Sequence, residues 1–216
     1  MFFFKTRNES LEFQSLEGYK NNIDKLLSLD KYISKKDYMT FWNANEAIYN
    51  KLVLMNKEGV LLSWCKNNKT KYSSLKNLLK FFYNTEMIIS NHNDAYVKRH
   101  LLEDKQYLDE ILLKDDPNVK LDDEQRIVVL SDEDYTLVIA GAGAGKTTTI
   151  EAKVKYLIDK QKVSPDKILI ISFTKKATNE LQDRCKKLDL NVKISTFHSI
   201  ANTIISNKEE ERHTIA

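Results

Sequence analysis

The chain has 216 residues, and 34 Lys+Arg against 31 Asp+Glu leave a formal net charge of +3. With 42% apolar and 30% charged residues it has the composition of a folding chain, long enough for one large domain or two small ones. Five glycines and two prolines exclude collagen-like and turn-rich all-β architectures, and no apolar run approaches the roughly 20 residues that span a bilayer, so no membrane partner is expected.

Met1-Phe2-Phe3-Phe4 is too short for a signal peptide and has no basic region ahead of it. Cys65 and Cys185 lack metal-ligand spacing. Together these features predict a cytoplasmic location. Residues 1–113 read as helical. Phe41, Ala44, Ile48, Leu52 and Met55 recur at spacings of three and four and predict one helical face. Gly59 is a break between helices. Leu75, Leu78, Leu79 and Phe82 predict a second stripe, and Val97, Leu101, Leu108 and Ile111 a third. The stretch from Gly59 to Pro117 predicts two or three helices, one of them long.

All of the positive surplus lies in residues 1–120. From Gly59 to Thr85 there is no acidic residue, but Lys66, Lys69, Lys71, Lys76 and Lys80 are interleaved with Trp64, Tyr72, Phe81, Phe82 and Tyr83. Two readings stand side by side: a nucleic-acid surface, or an amphipathic helical region with buried aromatics and solvated lysines. The polar cluster Lys114-Asp115-Asp116-Pro117-Asn118 marks the sharpest boundary. It predicts a helical accessory region over 1–116 and a second domain over 117–216.

After that boundary the pattern changes. Leu121-Asp122-Asp123-Glu124-Gln125 opens a helix, with acids at its positive end. Tyr135 to Ala140 is a β-branched apolar run and predicts a strand. A glycine-rich turn and a helix over 146–162 follow. Ile168 to Phe173 predicts a strand apolar on both faces, 175–187 a helix, 192–196 a third strand, and 198–206 the start of another helix. Such alternation implies βαβ units in a parallel sheet. Three strands would leave an unpaired edge, predicting poor solubility or dimerisation.

The strongest signal is Ala140-Gly141-Ala142-Gly143-Ala144-Gly145-Lys146-Thr147, between a predicted strand and a predicted helix. Phosphate oxygens must approach backbone N–H groups closely, so side chains there must be small, and the glycines permit the turn. The following helix points its positive end at the anion. Lys146 can reach the β- and γ-phosphates, and the Thr147 hydroxyl can ligate Mg²⁺. A GTPase would need Asn-Lys-x-Asp to read guanine, and the chain has none. Phe173 and Thr174 end the second strand, and Thr196, Phe197 and His198 end the third. Aromatic and hydroxyl side chains at strand ends suit a nucleic-acid strand.

Leu121-Asp-Asp-Glu-Gln125, the Ala140–Thr147 loop, Ser172-Phe-Thr-Lys-Lys-Ala177 and Thr196-Phe-His-Ser199 resemble four successive motifs of superfamily-one DNA helicases of the UvrD/Rep type. Residues 91–207 carry the resemblance, and within the family the helicase IV branch is the most similar. The resemblance implies an α/β fold: a helical N-terminal region followed by an incomplete RecA-like phosphate-loop parallel sheet with flanking helices. It implies the N-terminal portion of an ATP-dependent 3'-5' DNA helicase, using ATP and Mg²⁺ and binding single-stranded DNA. By resemblance, Gln125 reads adenine, Ala140 to Thr148 hold the triphosphate, Lys146 acts catalytically and Thr147 holds the metal. Phe173, Thr174, Thr196, Phe197 and His198 would contact single-stranded DNA. Thr148 stands where many members carry an arginine that packs on the base. The family's Asp-Glu motif and second motor domain have no counterpart in these residues. The 216 residues alone are therefore expected to bind nucleotide weakly and not to unwind DNA. They would be a truncated helicase, one part of a split helicase completed by the missing portion or another subunit, or a non-catalytic nucleotide- or DNA-binding module.

Overall fold

A computed structural model describes residues 10–141 and 143–214, with side chains to residue 208. The readings on Met1–Phe4 and on Ala142 lie outside the described residues. The chain forms two compact units, Met1–Arg99 with Ser131–Thr136, and His100–Leu130 with Leu137–Ala216. The Lys114–Asn118 turn falls inside the second.

The first unit is helical. Helix α1 (Leu11–Leu27) starts where the Ser10 hydroxyl accepts the Phe13 N–H at 3.2 Å. Its buried Phe13, Leu16, Tyr19 and Ile23 lie at helical spacing. Helix α2 (Lys35–Lys57) opens with the Asp37 carboxylate accepting the Ser34 N–H at 3.0 Å. Its inward stripe keeps Phe41, Ile48, Leu52 and Met55, but Ala44 is exposed and Asn45 is buried in its place. Asn45 tolerates burial because its amide donates to the Phe41 carbonyl at 2.9 Å and accepts from the Ser15 hydroxyl at 2.7 Å. Gly59 ends α2 as expected. With φ +74 it supports N–H bonds from Gly59 to the Asn56 carbonyl (3.2 Å) and from Val60 to the Met55 carbonyl (3.0 Å).

Helix α3 (Leu61–Asn67) and the long helix α4 (Tyr72–Glu103) follow. Phe82 is fully buried, with its ring 4.2 Å from Trp42, 4.5 Å from Tyr49 and 4.6 Å from Tyr19. The Tyr19 hydroxyl donates to Thr85 at 2.9 Å, and burial pushes the phenol up to about 12. Glu133 and Asp134 turn back onto the start of α2, where their carboxylates accept the Lys35 and Lys36 N–H groups at 2.8 and 2.6 Å.

The second unit holds the last turn of α4, then α5 (Lys105–Glu110), α6 (Asp123–Leu130), α7 (Lys146–Asp159), β1 (Leu169–Ser172), α8 (Lys175–Lys187), β2 (Lys193–Thr196) and α9 (Phe197–Thr214). Thus residues 61–113 form three helices, one of them long. Strands β1 and β2 pair in parallel, from Leu169 opposite Lys193 to Ser172 opposite Thr196. The unit is mostly helical around this two-stranded sheet.

Two strand expectations need correction. Tyr135–Ala140 forms no strand. A strand persists only where its N–H and C=O groups meet a neighbour. This run has no strand partner among the described residues, and Leu137 and Ile139 are 84% and 89% exposed. The second correction concerns β1, which buries Ile170 but leaves Leu169 and Ile171 exposed, so only one face of this strand is covered. Helices α7 and α8 are joined by charge. Arg184 lies 3.4 Å from the buried Glu151 carboxylate, 3.3 Å from Glu180 and 3.8 Å from Asp115, which Lys187 also meets at 2.9 Å.

Candidate phosphate loop and nucleic-acid contact edge

Helix α6 supports the glycine loop from one side. Asp122 and Gln125 cap its start reciprocally. The Gln125 N–H donates to the Asp122 carboxylate at 2.8 Å, and the Asp122 N–H donates to Gln125 Oε1 at 3.0 Å. The free end of the same amide, Nε2, donates to the Ala144 carbonyl at 3.3 Å. Gln125 therefore cannot turn to a ligand without giving up a loop contact. The Asp-x-x-Gln spacing is the signal that sequence reasoning passed over.

The loop uses its glycines where geometry demands them. Gly143 and Gly145 have φ of +75 and +76. A Cβ on Gly145 would also overlap Gln125 Nε2. Gly145 is the N-cap of α7 and makes no side-chain cap, so the first N–H groups of this 14-residue helix have no side-chain acceptor from the cap. Lys146 folds back across the loop. Its ammonium donates to the Ala140 and Gly141 carbonyls at 3.0 and 2.6 Å. Thr147 and Thr148 follow, both half-buried. N–H donors without a side-chain cap, one lysine and one threonine hydroxyl suit a metal-bound polyphosphate. Of the predicted loop residues, Ala140, Gly141 and Gly143 to Thr148 come together with Gln125.

The second part of the site lies where β1 and β2 end. Because Ser172 pairs with Thr196, Phe173 and Phe197 leave adjacent strands at the same level. Both are solvent-facing, at 87% and 65% exposed. The Thr174 hydroxyl accepts the Ala177 N–H at 3.1 Å and caps α8. The Thr196 hydroxyl accepts the Ser199 N–H at 3.2 Å and donates to the Ser199 hydroxyl at 3.0 Å. Two helix starts therefore lie beside two exposed rings. His198 is exposed, with its ring edge-on to Phe197 at 6.4 Å. The threonines serve first as caps, and the aromatics are the groups left free to stack. Ser199 belongs to the Thr196-Phe-His-Ser199 motif, and its part in the cap is what the sequence did not show.

Residues 121–215 match the family model of the UvrD/REP helicase N-terminal domain. These residues belong to the UvrD/REP helicase family. A probable DNA helicase II homolog of Mycoplasma capricolum is 40% identical over 89 residues, covering 39% of this chain and 12% of that protein. The ATP-dependent DNA helicase srs2 of Schizosaccharomyces pombe is 42% identical over 86 residues, covering 38% and 10%. The ATP-dependent DNA helicase PcrA of Staphylococcus aureus is 40% identical over 86 residues, covering 38% and 12%. The chain thus spans only about a tenth of the length of these curated relatives. The matched UvrD/REP segment contains both the glycine loop and the Phe173–Phe197 edge. No helix among the described residues is long and apolar enough to cross a membrane.

Proposed function

We propose that this chain supplies the nucleotide-binding loop and part of the single-strand contact edge of an ATP-dependent 3'-5' DNA motor of the UvrD/Rep type. Residues 117–216 would be the partial RecA-like motor portion and 1–116 an accessory region. The observation that carries the reading is the in-register end of β1 and β2, with Phe173 and Phe197 exposed side by side at the starts of α8 and α9. Exposed rings at this density are costly in water and useful against unstacked bases.

The residues of the glycine loop fit ATP with Mg²⁺. The N–H groups at the start of α7 would hold phosphate oxygens, Lys146 would leave the Ala140 and Gly141 carbonyls for the β- and γ-phosphates, and Thr147 would ligate the metal. Bound ATP supplies the phosphoryl group whose hydrolysis drives the motor. Gln125 would contact adenine while still anchored through its backbone N–H to Asp122. Fluorescence anisotropy with labelled oligo(dT) tests the contact edge. Phe173→Ala with Phe197→Ala should weaken binding about tenfold or more, at about 1–3 kcal/mol per stacked base. Unchanged affinity in the double variant would overturn this assignment.

A further inference from the structure

The lysines between Gly59 and Thr85 contrast with the ion-paired lysines of the same unit. Lys31 and Lys51 each meet a carboxylate, Asp37 at 3.1 Å and Glu12 at 2.9 Å. Lys66, Lys69, Lys71, Lys76 and Lys80 are all exposed, and among the described residues none has a carboxylate within 4 Å. The aromatics of this segment divide. Phe82 is core, while Trp64, Tyr72 and Phe81 pack partly against it. Tyr83 points outward at 73% exposed. Lys76, Lys80, Tyr83 and Met87 follow spacings of four, three and four, so they share one face of α4, and Met87 is exposed there too.

The fold gives these charges no carboxylate partner; Lys76 lies over the Tyr72 ring at 5.5 Å and Lys66 sits in the last turn of α3. Lys76 and Lys80 repel as a like-charged pair at i and i+4. Lys71 precedes the first residue of α4, at the positive end of that helix, and the first turn of α4 holds no acid. Lys69 has φ +54 in the C-terminal turn of α3, a left-handed position that favours glycine or asparagine. That turn is complete, with the Thr70 N–H bonded to the Cys65 carbonyl at 2.9 Å. Lys69, Lys71 and the Lys76–Lys80 pair are placed unfavourably for lysine, and all five lysines lie on one acid-free stretch.

We propose that the α3–α4 segment is a second single-stranded DNA surface, formed by Lys66, Lys69, Lys71, Lys76 and Lys80 on phosphates and Tyr83 on a base. A phosphodiester chain supplies the regularly spaced negative charge that the fold withholds. Lys76 and Lys80 rise about 6 Å apart along the helix, so each can neutralise its own phosphate. The exposed Tyr83 ring, three residues beyond Lys80 on the same face, adds a stacking platform. This surface belongs to the helical unit and does not depend on the Phe173–Phe197 edge.

The test is the salt dependence of oligo(dT) binding by the whole chain, measured by anisotropy between 50 and 200 mM NaCl. Lys76→Gln with Lys80→Gln should make the slope of log K against log salt shallower by about 1.4, at about 0.7 for each lost phosphate contact. Across that fourfold salt range the unmodified chain then loses about sevenfold more affinity than the variant. Lys31→Gln with Lys51→Gln removes the same formal charge from ion-paired positions of this unit and should leave the slope unchanged. Tyr83→Ala should weaken binding at all salt concentrations. Equal slopes for the unmodified chain and the Lys76/Lys80 variant, with matching circular dichroism, would overturn the proposal. An equal slope change in the Lys31/Lys51 variant would also overturn it. Phe173→Ala with Phe197→Ala reports separately on the motor edge, so either surface can fail without the other.

Discussion

Replacing Glu151 by glutamine tests the electrostatics that join α7 to α8. Glu151 is fully buried, its Oε2 lies 3.4 Å from Arg184 Nη1, and its Oε1 has no hydrogen-bond partner. Burial pushes the acid up from its ordinary 4.5 to about 7, and Arg184 pulls it only part of the way back. The folded value lies above the unfolded one, so the protonated form favours folding. That contribution is fully present below pH 4.5 and is lost as pH rises through about 7. At about 1.4 kcal/mol for each pH unit, the whole effect is about 3 kcal/mol. Glu151→Gln keeps the shape and removes the titration. Urea unfolding followed by circular dichroism at pH 5, 6.5 and 8 should show the unmodified chain losing about 2–3 kcal/mol relative to the variant over this window. Parallel stability curves for the two proteins would refute the reasoning, because the carboxylate would then titrate alike in the folded and unfolded chains.

Gly145→Ala should cost about 1–2 kcal/mol for a left-handed alanine, with a further loss where the new methyl displaces Gln125. Adding Gln125→Ala should restore only the second part, as thermal unfolding of the single and double variants will show. Thr174→Ala and Thr196→Ala should each destabilise by about 1 kcal/mol through loss of a helix cap, measured by denaturant midpoint. Glu133→Ala with Asp134→Ala should speed hydrogen exchange at the Lys35 and Lys36 amides, because those N–H groups lose their acceptors. Unchanged protection there would contradict the capping role.

Helix positions were readable because their signals are local. Helix α8 runs from Lys175 to Lys187, the span its periodicity predicts, because Thr174 caps it and its apolar positions repeat every turn. The stripe of Leu75, Leu78, Leu79 and Phe82 is buried for the same reason. The lysine-aromatic stretch was ambiguous in the sequence. Spacing alone could not tell which rings turn inward, and the structure sends Phe82 to the core and Tyr83 to solvent. Sheet structure was harder to read, because a strand depends on a partner remote in sequence. Leu137–Ile139 has the composition of a strand but no neighbour to pair with among the described residues. At the candidate site, residue types pointed to the glycine loop and the strand ends. The roles of Asp122 and Ser199 became clear only when their side chains were seen closing caps on Gln125 and Thr196.

The central claim is that the Ala140–Thr148 loop holds a metal-bound nucleotide. Titration of the purified chain with a fluorescent ATP analogue and Mg²⁺ tests it most directly, with Lys146→Ala in parallel. The account predicts weak, saturable, Mg²⁺-dependent binding that ATP competes away and that Lys146→Ala abolishes while circular dichroism stays unchanged. Binding unaffected by Lys146→Ala, or no saturable binding by the folded unmodified chain, would contradict it.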